Sequence, residues 1–244
     1  MLHKSVPFWA AASKLFAVVL SAAALVACSQ QATIPTGEDA EKIGDNLYKV
    51  ENSSVKAAFV DPEVDFAVYK KIYIAPLNLD KVKIIQPSSS PTNRKPWELT
   101  DKDKELLTKR YQEVMTKYLQ EETSASTGYE IVNAPGEGVL QLSSAILAIA
   151  PTAAKDDFKS RPVGRSRVFT EGAGSMTIGF AINDSATGKA LITAVDQRSG
   201  WGTYRSNNRV TNMSDVSLMF GNWANKIRHG LDSLSANFET RQQQ

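Results

Sequence analysis

The chain has 244 residues, with 28 Lys and Arg against 26 Asp and Glu, two His and one Cys. A single cysteine excludes an intrachain disulfide framework and a multi-cysteine metal site, and 42% hydrophobic with 22% charged residues excludes a disordered or collagen-like chain. The formal charge of +2 is an amino-terminal property: residues 1–27 hold Lys4 and Lys14 and no acid or Arg, so their loss leaves 26 basic against 26 acidic side chains and no case for a nucleic-acid partner.

Residues 1–27 have the three-part layout of an export signal: a basic start at His3 and Lys4, an apolar run from Phe16 to Val26, and small residues before a cleavage point. Pro7 and the shortness of the run argue against a stable membrane span, which needs about 20 apolar residues. Leu25-Val26-Ala27-Cys28 resembles the lipobox of bacterial lipoproteins. That resemblance implies lipidation of the Cys28 thiol, cleavage before it, and acylation of the freed amine. One acyl chain binds a membrane reversibly, at about 0.8 kcal/mol per buried CH₂, and two or three hold permanently, so Cys28 is expected to be a tether rather than a redox or catalytic thiol. Ser29, where an Asp retains lipoproteins of enteric-type bacteria at the inner membrane, implies outer-membrane sorting.

Residues 28–46 are rich in Gln, Thr, Gly, Glu and Asp without a sustained period and read as a lipidated flexible spacer, which leaves 47–244 as one globular domain. Lys71 to Leu77 is a strand by its β-branched and aromatic content, and Val82 to Ile85 a second short one. Pro87 to Pro96, with three prolines and a serine run, is a loop. Thr100 and Asp103 open a helix as a capping box, and Leu107, Tyr111, Val114, Met115 and Tyr118 form its apolar stripe, with Gly128 as its stop. Strands are expected at Tyr129–Val132, Val139–Ala150, Ser175–Asp184 and Ala190–Arg198, the last two joined by a hairpin turn at Ser185–Lys189. A closing helix over Ser214–Ser235 carries Val216, Met219, Phe220, Trp223, Ile227, Leu231 and Leu234. The order predicts an α/β (α+β) fold, a mixed sheet of about five or six strands with two main helices on one face.

Candidate chemistry is sparse. His229 is the only histidine of the mature chain and reads as a surface or capping residue near the end of the last helix. Asp61-Pro62, Asp65, Asp184, Thr187 and Gly188 read as turn and capping residues. Lys155, Lys159, Arg161, Arg165 and Arg167 form a basic loop diluted by Asp156 and Asp157, and Trp201 and Tyr204 stand beside Arg198 and Arg205. No nucleotide, calcium or zinc motif and no Gly-x-Ser-x-Gly elbow occurs, so no catalytic residue, cofactor or metal is nominated.

The stretch Phe59-Val60-Asp61-Pro62-Glu63-Val64-Asp65-Phe66-Ala67-Val68-Tyr69-Lys70-Lys71, then Asp184-Ser185-Ala186-Thr187-Gly188-Lys189-Ala190-Leu191, then Trp223-Ala224 before Ile227-Arg228, resembles a family of Gram-negative bacterial lipoproteins classed as a domain of unknown function. The family brings no catalytic residues. The expectation is a non-enzymatic lipoprotein anchored through Cys28 to the outer membrane, facing the periplasm and binding a protein or peptidoglycan partner. Two alternatives stay open: an envelope hydrolase using His229 or a carboxylate pair, and a lipid or small-molecule carrier with a deep apolar cavity.

Overall fold

The computed structural model describes residues 31–87, 96–122, 128–153, 169–200, 204–206 and 209–242. The export signal, Cys28, most of the proline-rich loop, the basic loop and Trp201 lie outside the described residues. Strands β1 (Lys42–Ile43), β2 (Leu47–Lys49), β3 (Ala57–Val60), β4 (Lys71–Ile74), β5 (Lys83–Ile84), β6 (Glu130–Val132), β7 (Val139–Pro151), β9 (Gly174–Asp184) and β10 (Ala190–Ser199) form one mixed sheet. Its order is β1-β2-β3-β10-β9-β7-β4-β6, with β5 also on β7. A separate ribbon pairs β8 (Phe169–Glu171) with β11 (Tyr204–Ser206). Helices α1 (Asp101–Gln120) and α2 (Arg209–Gln242) complete the α+β architecture.

The sheet has nine strands where five or six are expected. The additional ones are β1, β2 and β3, of two, three and four residues, too short to show an alternation in the sequence. They move the start of ordered pairing upstream of the expected boundary at residue 47. Thr33 and Glu51 exchange backbone hydrogen bonds at 3.1 and 2.8 Å, β1 pairs antiparallel with β2, and Ile34 packs against the core. The segment read as a spacer is therefore partly built into the sheet edge.

Sheet register explains which face is covered. On β7, Leu140, Leu142, Ser144 and Ile146 are buried, and on β9 Met176, Ile178, Phe180 and Ile182 are, the two-residue period of a sheet covered on one side. The helices lie on that side: the Tyr111 hydroxyl of α1 is 2.7 Å from Ser144 Oγ, and Trp223 of α2 meets the Phe180 ring edge-on at 6.2 Å. Helix α1 also supplies the crossover that lets β6 lie parallel to β4, since parallel neighbours cannot be joined by a tight turn.

The start of α1 matches expectation, and its end and both ends of α2 differ. The Thr100 capping box forms: the Asp103 amide donates to Thr100 Oγ1 at 3.3 Å and the Thr100 amide to Asp103 Oδ2 at 3.0 Å. Thr100→Ala should therefore lower the unfolding free energy by about 1 kcal/mol, read from urea denaturation. Helix α1 ends at Gln120, ahead of Gly128. That glycine, at φ +69°, lies so close to the last turn that a Cβ would stand 2.5 Å from the Gln120 carbonyl oxygen. Helix α2 runs from Arg209 to Gln242, beyond the Ser214–Ser235 stripe at both ends, because the stripe marks only the packed section. Arg228, buried on α2, donates through Nη1 to the carbonyls of Tyr118 at 3.1 Å and Glu121 at 3.2 Å, tying α2 to the open carbonyl end of α1.

Candidate functional site

Three carboxylates tie the sheet to neighbouring elements: Asp61 and Asp184 at the β9–β10 hairpin end, and Asp196 toward the other end of β10. Asp196 sits on β10 with the same parity as Ile192 and Ala194, so it points under the helices and is buried. Its Oδ2 accepts from Trp223 Nε1 at 3.0 Å, Lys226 Nζ at 3.0 Å and Arg198 Nε at 3.2 Å, and its Oδ1 from the Lys56 amide at 3.2 Å. Lys226 also donates to the Ser54 carbonyl, so the cluster clasps the loop before β3 to α2. Burial alone pushes the Asp196 pKa up, but the hydrogen bond and charge of Lys226, then the Trp223 N–H and Arg198, outweigh it and hold the carboxyl below its ordinary range.

Asp61, also buried, accepts from Asn46 Nδ2 at 2.8 Å, Lys189 Nζ at 2.7 Å and the Glu63 amide at 3.0 Å. Its pKa is lowered in the same sense: burial raises it, and these donors more than compensate. Asp184 accepts from the Thr187 and Ala186 amides, the Thr187 hydroxyl and, at 2.7 Å, the Tyr69 hydroxyl. The Thr187 amide and Tyr69 lower its pKa, while burial, followed by the hydrogen bond to Asp184 and then its charge, pushes Tyr69 up to about 12.

The turn residues identified in the sequence thus stand where turn chemistry needs them. Asp61 makes an Asx turn to Glu63, Asp65 caps the short 3-10 turn Phe66–Val68, and Gly188 takes φ +72° in the β9–β10 hairpin. His229 is a surface residue, as one of its two readings has it, and the capping reading is corrected: α2 continues to Gln242, so His229 does not meet a helix end. Ser233 Oγ donates to its backbone carbonyl at 2.8 Å, and among the described residues no hydrogen bond or ion pair joins its ring to a serine or an acid. Among the described residues no group of three or more His, Cys, Asp or Glu is placed to hold a metal. Cys28 and the basic loop from Lys155 to Arg167 lie outside the described residues, and Tyr204 and Arg205 enter only as backbone of β11.

The Asp196 cluster has a signal in the sequence that only the fold makes plain. An acid at core-facing parity in a strand, with a Trp-x-x-Lys on an amphipathic helix, calls for buried donors. Chemically the cluster is saturated: both oxygens of Asp196 are engaged and its proton is held off. A pH dependence follows. Carboxyls that titrate lower when folded than the 3.8 of the free group contribute fully above that value, and the contribution is lost as pH falls through the folded values. Asp196→Asn should cost about 2 kcal/mol in urea unfolding at neutral pH. The deficit should shrink as the pH is taken below 3.8, and a deficit constant with pH would contradict the assignment.

Opposite the helices the sheet presents residues of the other parity. The rows Phe59–Thr193–Ala181–Ser143 and Ala57–Val195–Gly179–Ala145 cross β3, β10, β9 and β7. They are uncharged and mostly small. Leu147, the extra residue of the β7 bulge, is 42% exposed on this side, over Gly179. Both helices pack on the other face.

The family model for proteins of unknown function (DUF3313) matches residues 42–227. The chain belongs to that family. The match spans β1 to the middle of α2 and takes in the Phe59–Lys71 and Asp184–Leu191 stretches on which the resemblance rests. No curated protein matches the sequence. Among solved structures, a minor lipoprotein from Acinetobacter baumannii is 15% identical over 68% of this chain and 92% of that chain, with a TM-score of 0.26. The PelC dodecamer from Paraburkholderia phytofirmans is 11% identical over 65% and 89%, with a TM-score of 0.33. The hypothetical protein CT253 from Chlamydia trachomatis is 11% identical over 68% and 98%, with a TM-score of 0.37. Likeness at this level assigns no function to the family. Among the described residues no helix is long and apolar enough to cross a membrane.

Proposed function

We propose that the protein is a lipoprotein held to the outer membrane by acyl chains on Cys28, with a periplasmic domain that binds another envelope component and catalyses no reaction. The observation that carries this reading is Leu25-Val26-Ala27-Cys28 directly after an apolar export segment, with the one cysteine of the chain at the acylated position. Ser29, in place of the retaining Asp, supports the outer membrane as destination. The non-enzymatic part is supported by the saturation of Asp61, Asp184 and Asp196 by internal donors, which leaves these carboxyls employed in holding the fold. The uncharged rows across β3, β10, β9 and β7 support a binding role, because half-buried small side chains allow a partner's surface to approach the backbone closely.

The test is capture in living cells. A photo-crosslinking residue placed at Ala181, in the centre of the uncovered face, should yield one or a few reproducible envelope proteins or peptidoglycan fragments. The same residue at exposed His229 should yield none of these. Identical capture at both positions, or none at either, would contradict the binding role of the face.

A further inference from the structure

The amino-terminal segment that the sequence presents as a long spacer is, in the fold, short. Among the described residues the first to pair is Thr33, whose amide donates to the Glu51 carbonyl at 3.1 Å and whose carbonyl accepts from the Glu51 amide at 2.8 Å. Glu51 follows β2, so Thr33 lies at the β1–β2 edge of the sheet. Five peptide units separate Cys28 from Thr33, and a chain of that length, fully extended, spans at most about 18 Å. A free spacer reaching to residue 46 would span more than about 60 Å. The opposite edge of the sheet, β6, is six strand steps from β2, about 29 Å away along the sheet.

We propose that the β1–β2 edge lies against the bilayer surface, that this edge is therefore the membrane-proximal side of the domain, and that partners reach the protein over its remaining surfaces. The proposal rests on the anchored reading given above. It does not rest on attraction between the edge and lipid. Glu38, Asp39, Glu41, Asp45 and Glu51 outnumber Lys42 and Lys49 there, so the edge is net negative and is repelled by anionic headgroups. The tether holds it close against that repulsion.

Because Cys28 is the only cysteine and carries the lipid, a cysteine introduced elsewhere is the one site a thiol-reactive dye can label. The full-length protein, processed in cells, is purified as Lys42→Cys and as Glu130→Cys, both exposed positions, one on each edge. Each is labelled and placed in vesicles of phosphatidylethanolamine and phosphatidylglycerol containing a headgroup-linked quencher. The label at position 42 should be quenched about threefold more strongly than that at 130, given the width of the sheet between them. Raising the salt should increase quenching at 42, since it screens the repulsion. Inserting 20 Gly and Ser residues after Ala32, a coil of about 25 Å, should bring position 42 down to the level of 130. Intact mass separates the two ways of failing. A protein without acyl mass overturns the anchored reading and this proposal with it; an acylated protein quenched equally at both positions, or one whose quenching falls with salt, overturns the proposal alone.

Discussion

Trp223→Ala is expected to lower the unfolding free energy by about 4 kcal/mol, enough to leave a domain of ordinary stability largely unfolded at moderate urea. Trp223 is fully buried between sheet and helices, edge-on to Phe180 and tilted 50° to Phe220 at 6.0 Å, while Phe220 in turn meets Tyr111 of α1. Its removal leaves a cavity where both helices and the sheet converge, and it takes one of the donors from a buried carboxylate. The two losses can be separated. Trp223→Phe keeps much of the volume and loses the Nε1 donor to Asp196, so it should cost about 2 kcal/mol. Urea midpoints at neutral pH provide the comparison. A Trp223→Phe variant as unstable as Trp223→Ala would show that the hydrogen bond, and not packing, dominates the site.

Gly174→Ala is the second large effect. Gly174 begins β9 at φ +110°, and a Cβ on it would overlap the Ala150 carbonyl oxygen and stand 2.8 Å from Pro151 Cα. The chain kinks here between β9 and the β8–β11 ribbon. The kink is fixed by the Gly200 amide donating to the Gly174 carbonyl at 2.7 Å and the Ala173 amide donating to Asp215 of α2 at 2.9 Å. Backbone has to move to admit even a methyl group, and the expected loss is about 3 kcal/mol. Gly188→Ala is the control: it also has positive φ, at +72°, but nothing stands within 4 Å of the added carbon. Its cost should be about 1 kcal/mol, from backbone conformation alone. Equal losses at the two glycines, measured by urea unfolding, would contradict the steric account of the kink.

How far the fold was legible in the sequence depended on element length and on whether a residue's chemistry was local. Helix α1 was readable because Thr100 and Asp103 act on each other within one turn and its apolar residues repeat over five turns. The β9–β10 hairpin was readable because Asp184, Thr187 and Gly188 settle the turn among themselves. The strands β1 to β3 were not, since two to four residues cannot show a period and β10, the strand that joins β3 to the rest of the sheet, lies more than a hundred residues along the chain. Gly128 has the sequence mark of a helix stop, but the helix ends at Gln120 and the glycine serves the close return of the chain over the last turn. The carboxylate clasps were legible only in part. Asp61 and Asp184 carry a local turn signal, but their long-range donors, Asn46, Lys189 and Tyr69, belong to other elements. Asp196 offered its parity as a clue and needed the fold to bring Lys226 and Trp223 to it.

Anchoring, as proposed, depends on Cys28. Cells grown with a labelled fatty acid and expressing either the natural chain or Cys28→Ser provide the direct measurement. The natural protein should take up label and run at its cleaved size in the membrane fraction. Cys28→Ser should take up none and accumulate as uncleaved precursor. A Cys28→Ser protein of mature size that remains membrane-bound, or a natural protein whose intact mass shows no acyl chains, would contradict the anchored reading.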